Sequence, residues 1–213
     1  MKIKTFGFVQ QIGNIKCEKI NINYIEKNPL RIADKDKFDE MANLIDSVRK
    51  SGDSIGGVIE VRSTGMPAGL GSPVFEKLDA RLSSAIMGIG GVRGFEIGLG
   101  FKIASMKGSQ VNDIMVGKSK GKVKFRTNNA GGILGGISNG NDLILRFALK
   151  PTSSISQKQD SIDNKGKQRK LQVKGRHDPC LCPRAVPIAE AMVNLVLLDC
   201  ILENNLSTVK KIT

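Results

Sequence analysis

Between Gly175 and Leu202 a polar, charge-bearing loop runs directly into the one long apolar segment of the chain. The loop reads Gly175-Arg176-His177-Asp178-Pro179-Cys180, and Cys182-Pro183-Arg184-Ala185-Val186-Pro187-Ile188-Ala189-Glu190-Ala191-Met192 follows. Pro187, Glu190, Asn194 and Asp199 interrupt the stretch from Ala185 to Leu202, which predicts a buried helix rather than a bilayer span. A buried helix needs a core around it. With 40% hydrophobic residues in 213, the chain has enough apolar material for one.

Upstream, the pattern is mixed. Residues 5 to 25 are rich in Ile, Val and Phe, with Gly13-Asn14 as a turn between two predicted strands. Asp34 is placed to cap a helix whose apolar positions Phe38, Met41, Ala42, Leu44, Ile45 and Val48 recur at three-and-four spacing until Gly52. Ile55 to Val61 reads as a strand, in which Gly56-Gly57 predicts a bulge or the close approach of another backbone. Ser72-Pro73 predicts a second helix start, with Phe75, Leu78, Leu82, Ala85 and Ile86 on its buried face, broken by Gly88, Gly90 and Gly91. A short strand, Gly94 to Gly98, follows. The segment from Lys107 to Arg126 reads as a mobile polar connection, Leu143 to Leu149 as a strand, and residues 155 to 170 as a polar excursion. No internal repeat or Pro-rich linker divides the sequence, so one domain over residues 1–213 is expected.

Lys and Arg number 33 against 20 Asp and Glu, a formal charge of +13, so the mean field attracts anions. Nucleic acid, acidic lipid and phosphorylated metabolites all carry the matching charge. Aromatic residues make up only 4%, with Tyr24 the single Tyr and no Trp, which leaves base-stacking platforms poorly supplied. The run Lys118-Ser119-Lys120-Gly121-Lys122-Val123-Lys124 accordingly reads as a solvated loop before it reads as a nucleic-acid patch. Neither a nucleic acid nor a membrane is expected as a partner. The start Met1-Lys2-Ile3-Lys4 carries no secretory pattern, and a cytoplasmic protein is expected. Cys17, Cys180, Cys182 and Cys200 are too few and too irregular for a disulfide framework and read as free thiols.

Three groups of residues can carry chemistry. The glycine-rich segment Asn128 to Gly140, with pairs at Gly131-Gly132 and Gly135-Gly136, removes side chains where backbone N–H groups can approach a ligand; a tight turn region explains it equally well. Lys150-Pro151-Thr152-Ser153-Ser154 places an ammonium and three hydroxyls after a strand, a donor set suited to phosphate oxygens, or an ordinary hydroxyl-stabilised turn. Arg176 can grip a carboxylate or phosphate in bidentate fashion, and Asp178 can act as a base or orient one; a salt bridge at the mouth of the helix is the alternative. His177 with Cys180 and Cys182 is a thin zinc pattern, and no metal is expected.

Together these segments resemble the chorismate synthase family, in order: Ile55 to Val61, Met66-Pro67-Ala68-Gly69-Leu70-Gly71, Lys77-Leu78-Asp79-Ala80-Arg81-Leu82, Gly94-Phe95-Glu96-Ile97-Gly98, Asn128 to Gly140, Lys150 to Ser154 and Gly175 to Met192. The resemblance implies an α+β fold, a β-α-β sandwich of antiparallel sheets around central helices, and assembly as a homotetramer. It implies a lyase of the shikimate pathway of aromatic amino acid biosynthesis. Such a lyase converts 5-enolpyruvylshikimate 3-phosphate to chorismate and phosphate by 1,4-anti elimination with reduced FMN; NADP is a further association of the family. It assigns FMN contacts to Gly90, Gly91, Gly135, Lys150, Pro151, Thr152, Ser153, Ser154 and Arg176, and a part in proton removal to Asp178. Gly90-Gly91 stands where the family more often has another residue followed by alanine.

The family's N-terminal features, a Gly-Glu-Ser-His-Gly type motif, a second catalytic histidine, substrate-binding arginines and an Arg-Ser-Ser flavin contact, have no counterpart in these residues. His177 does not stand in for either family histidine. The resemblance therefore covers a C-terminal portion of the family domain. Beside an active enzyme it leaves an inactive fragment or an FMN-binding module that requires a separate N-terminal chain.

Overall fold

A computed structural model describes residues 2–119 and 122–207. The chain forms β1 (Lys4–Ile12), β2 (Ile15–Lys16), α1 (Phe38–Lys50), β3 (Gly57–Thr64), α2 (Leu78–Met87), β4 (Val92–Ile97) and a short α3 (Gly108–Val111). Then come β5 (Met115–Ser119), β6 (Lys122–Phe125), β7 (Ile133–Leu134), β8 (Ile137–Ser138), β9 (Leu143–Leu149), β10 (Gln159–Ile162), β11 (Gln168–Leu171) and α4 (Cys182–Ser207). Five strands form one sheet in the order β2-β1-β3-β9-β4, and β5-β6, β7-β8 and β10-β11 are antiparallel hairpins. Helices and antiparallel pairs in one chain make this an α+β fold.

The residues cluster in two compact units. One comprises Met1–Gly7, Glu60–Phe147 and Val186–Thr213; the other comprises Phe8–Ile59 and Ala148–Ala185. In the first, Leu143, Leu145 and Phe147 alternate as the buried side of β9, and Leu78, Leu82 and Ile86 bury one face of α2 at helical spacing. Glu60 on β3 is 1% exposed yet charged. Two arginines compensate it: Arg62 at 2.6 Å and Arg146 at 3.5 Å, and Arg146 also reaches Glu96 at 2.6 Å and the Gly98 carbonyl at 2.5 Å. In the second unit, Phe8, Val9, Ile12, Ile25, Ile32, Met41 and Ile59 form the core. There Asp34 caps a single 3-10 turn that leads into α1, and its carboxylate accepts N–H groups of Glu18, Lys19 and Asp36 at 2.8, 2.9 and 3.1 Å. Burial pushes this carboxyl up, but the three amides outweigh it and hold it below the usual carboxylate range.

Several expectations change. The second helix begins at Leu78, not at Ser72-Pro73. Ser72 N–H donates forward to the Glu76 carbonyl at 3.0 Å, opposite to helical direction, and Val74 adopts φ of 70°, which right-handed helix forbids. Phe75, expected on the buried face, is 88% exposed. The segment read as a mobile connection contains the hairpin β5-β6; Lys120 and Gly121 of the lysine run lie outside the described residues. The polar excursion likewise holds the hairpin β10-β11, whose strands pair from Gln159 with Leu171 to Ile162 with Gln168. Finally, α4 buries Ala185, Val186, Ala189, Val193, Leu197 and Cys200, while its other side is open.

Candidate functional site

The sheet delivers the donor cluster of the second unit. β9 ends at Leu149, and Gly56 lies so close to it that a Cβ there would stand 2.2 Å from the Leu149 carbonyl and 3.0 Å from Pro151. This is the close backbone approach that the glycine pair implied, and no side chain fits. The chain then turns through Lys150 to Ser154. Ser54 Oγ donates to the Thr152 carbonyl at 2.7 Å and Lys150 Nζ to Ser153 Oγ at 2.8 Å. Ile55 N–H donates to the Pro179 carbonyl at 2.7 Å, and Thr152 Oγ1 to the Asp178 carbonyl at 3.4 Å, so the loop from Gly175 is tied beside this turn. Two segments 26 residues apart are thereby held together, and Lys150, Pro151, Ser153 and Ser154 stay exposed.

A depression of about 350 Å³ opens there, lined by Arg176, Asp178 and Arg184. Arg184 Nη1 donates to the Asp178 carboxylate. Among the described residues Arg176 makes no hydrogen bond or ion pair, so its guanidinium is available to an external anion. Two cations and one anion line the cavity, and its field favours a negatively charged ligand. His177 faces the Val173 carbonyl at 3.3 Å. Cys180 and Cys182 are buried free thiols that share a hydrogen bond, which lowers the Cys180 pKa; the same bond, and then burial, raise that of Cys182.

Gly90, Gly91 and Gly135 belong to the first unit. Gly135 and Gly136, with φ of 61° and 83°, form the two-residue turn between β7 and β8, the left-handed pair such a hairpin needs. A Cβ on Gly135 or on Gly90 would meet nothing within 4 Å, so both backbones face open space. The segment leading to this turn is pinned by Asp113, whose Oδ1 accepts Thr127 Oγ1 at 2.6 Å and Asn129 N–H at 2.7 Å, while Oδ2 accepts Ala130 N–H at 2.9 Å.

Neither Arg184 nor Asp113 stood out in the sequence. Arg184 lies six positions beyond Asp178, past two prolines that hide its return. Asp113 sits in a polar stretch with no periodicity, and its signal is only that it precedes the asparagine-rich start of the glycine segment.

A family model described as chorismate synthase matches residues 1–202. The chain is 50% identical over 209 residues to a chorismate synthase of Archaeoglobus fulgidus, covering 96% of this chain and 58% of that protein. It is 48% identical over 198 residues to a chorismate synthase of Methanothermobacter thermautotrophicus, covering 91% and 53%. A solved crystal structure of chorismate synthase superposes with a TM-score of 0.77 at 33% identity, over 95% of this chain and 57% of that one. The chain thus spans about half the length of the curated relatives it matches. Sequence order, α+β architecture and these matches agree: the chain belongs to the chorismate synthase family.

Proposed function

We propose that this chain carries the FMN-binding and proton-removing portion of a chorismate synthase, as a single domain over residues 1–213. The reaction is the elimination of phosphate from 5-enolpyruvylshikimate 3-phosphate, carried out in the cytoplasm by an assembly that is tetrameric when complete. The observation that supports it is the cavity at Arg176, Asp178 and Arg184, where one guanidinium is free and one carboxylate is held by another. A substrate with one phosphate and two carboxylates matches that charge and the chain's +13.

FMN fits the donors present. The exposed ammonium of Lys150 and hydroxyls of Ser153 and Ser154, with Pro151 and the half-buried Thr152 beside them, suit a phosphate monoester, and the unpaired Arg176 adds a bidentate grip. The resemblance assigns Gly90, Gly91 and Gly135 to the flavin as well, and the open backbones of Gly90 and Gly135 agree with that. When bound, reduced FMN supplies the electron-rich centre that the elimination requires, with no net redox change. Asp178 assists removal of the ring proton, and Arg184 holds its carboxylate in orientation. Supplied with the N-terminal portion that its relatives carry, the chain releases phosphate from the substrate only with reduced FMN; equal release with oxidised FMN or none would sink this reading.

The span of about half the relatives favours one alternative: a module that binds FMN but turns nothing over without a separate N-terminal chain. Flavin titration of the chain alone, with no phosphate release, is its signature.

A further inference from the structure

Cys180 and Cys182 stand at the junction between the cavity loop and α4, with Leu181 alone between them. Asp178 precedes the first sulfur by two positions and Arg184 follows the second by two, so the pair occupies the span that joins the carboxylate to its guanidinium. Neither thiol has a part in the proposed function. The backbone around them is tied on both sides. Ile55 N–H donates to the Pro179 carbonyl at 2.7 Å and Thr152 Oγ1 to that of Asp178 at 3.4 Å, while the N–H groups of Arg184 and Ala185 both reach the Leu181 carbonyl at 3.1 Å.

The two sulfurs are not equivalent. Cys182 is 0% exposed, and its sulfur lies against Gly57, where a Cβ would stand 2.9 Å from it. Cys180 keeps 9% of its surface. The Cys182 thiol donates to the Cys180 sulfur. That bond, joined by the Cys182 backbone N–H, holds the Cys180 pKa below the ordinary thiol value against the upward push of burial. The same bond, and then burial, raise the pKa of Cys182, which keeps its proton. One sulfur is the reachable nucleophile, and the other is covered beside it. The remaining cysteines offer no rival: Cys17 Sγ donates to the Val9 carbonyl at 3.5 Å, and burial raises the pKa of Cys200. Residues two apart span at most about 7 Å, and a disulfide accepts Cα separations up to about that length.

We infer that Cys180 and Cys182 form a reversible disulfide with hydrogen peroxide, Cys180 attacking and Cys182 resolving, and that this bond displaces the loop carrying Asp178. The Cys180 thiolate attacks one peroxide oxygen and the O–O bond breaks, leaving a sulfenic acid. The departing hydroxide takes up the proton that the thiol had released and becomes water. Cys182 sulfur then attacks Cys180 sulfur, the S–O bond breaks, and the second hydroxide leaves with the Cys182 proton as water. Two thiols lose two electrons and one peroxide becomes two waters. Closing an S–S bond of about 2.0 Å draws Cys182 Sγ from its seat against Gly57, and the turn between Asp178 and Arg184 shifts with it. A disulfide strained in this way is the readily reduced, regulatory kind. It forms without flavin, so the inference stands apart from the proposed activity.

The test is peroxide treatment of the 213-residue chain, followed by alkylation in urea. Alkylated thiols fall from four to two, and dithiothreitol restores all four. Trypsin cuts after Arg176 and Arg184, so one peptide from His177 to Arg184 carries both sulfurs and becomes lighter by two hydrogens. Cys182→Ser stops at a sulfenic acid on Cys180, which dimedone traps, whereas Cys180→Ser leaves Cys182 unmodified. In the oxidised chain the Ile55 N–H exchanges with deuterium about 10-fold faster or more, since its acceptor Pro179 moves with the loop. Retention of four thiols overturns the pairing, as does a disulfide to Cys17 or Cys200, one between two chains, or a dimedone adduct on Cys182. A disulfide with unchanged exchange at Ile55 overturns the displacement. The peptide mass is read on the native sequence, so it decides the pairing even where a serine variant fails to fold.

Discussion

The glycine-rich segment of one unit and the loop from Gly175 to Arg184 of the other each centre on an aspartate, and the two aspartates are used in opposite ways. Asp113 gives both oxygens to its own chain: two backbone N–H groups and one hydroxyl lock the start of the glycine segment. Asp178 gives its carboxylate to one side chain, Arg184, at the edge of an open cavity. A carboxylate saturated by fixed amides is a structural pin. One that faces only a long, flexible guanidinium can exchange that partner for a ligand at small cost, because a partly exposed ion pair contributes about 0–1 kcal/mol. On the proposed reading of Asp178, the difference separates frame from chemistry using one residue type.

Breaking the chemistry side carries the largest effect. In the complemented enzyme, Asp178→Ala lowers the rate of phosphate release about 100- to 10,000-fold, the range for a group that moves a proton, while the thermal midpoint hardly changes. A rate within twofold of the parent would remove Asp178 from the mechanism. On the frame side, Arg146→Ala leaves Glu60 buried with Arg62 and destabilises by about 3 kcal/mol, read as a lower urea midpoint with an unchanged slope. Asp113→Ala comes next: it strands two amides and costs about 2 kcal/mol, and amide exchange quickens first between Thr127 and Gly131. Should Asp113→Ala abolish turnover with no loss of stability, the contrast between pin and tool would fail.

How much of this the sequence disclosed depends on where the bonds run. The alternation of Leu143 to Leu149 and the capped start at Asp34 are local, and both elements formed close to where their patterns put them. Ser72-Pro73 carries an equally local helix signal, but a forward bond from Ser72 to Glu76 and the left-handed Val74 override it. The polar hairpins β5-β6 and β10-β11 hide because strands exposed on both sides, such as Gln168–Leu171, show no alternation. The open side of α4 was hidden for another reason: apolar residues suggest burial, yet Ile188, Leu195, Leu198 and Leu202 are exposed here. At the site, Lys150 to Ser154, Arg176 and Asp178 are contiguous motifs, whereas Arg184 and Asp113 act across a gap that only the folded chain closes.

The smallest effect tests whether a carboxylate pinned by backbone amides shows itself in the acid unfolding of the chain. Asp34 is the second unit's equivalent of Asp113: buried, accepting three backbone amides, and held below the usual carboxylate range by them against the upward push of burial. With the folded-state pKa depressed, the unfolded chain binds the proton more readily. The stability this provides is complete above the ordinary aspartate value near about 4, and is lost as the pH falls toward the lower folded value. Asp34→Asn removes the titrating group, so the acid limb of a plot of urea midpoint against pH flattens below about pH 4 relative to the parent. An acid limb as steep in Asp34→Asn as in the parent would mean that the three amides do not pin this carboxylate.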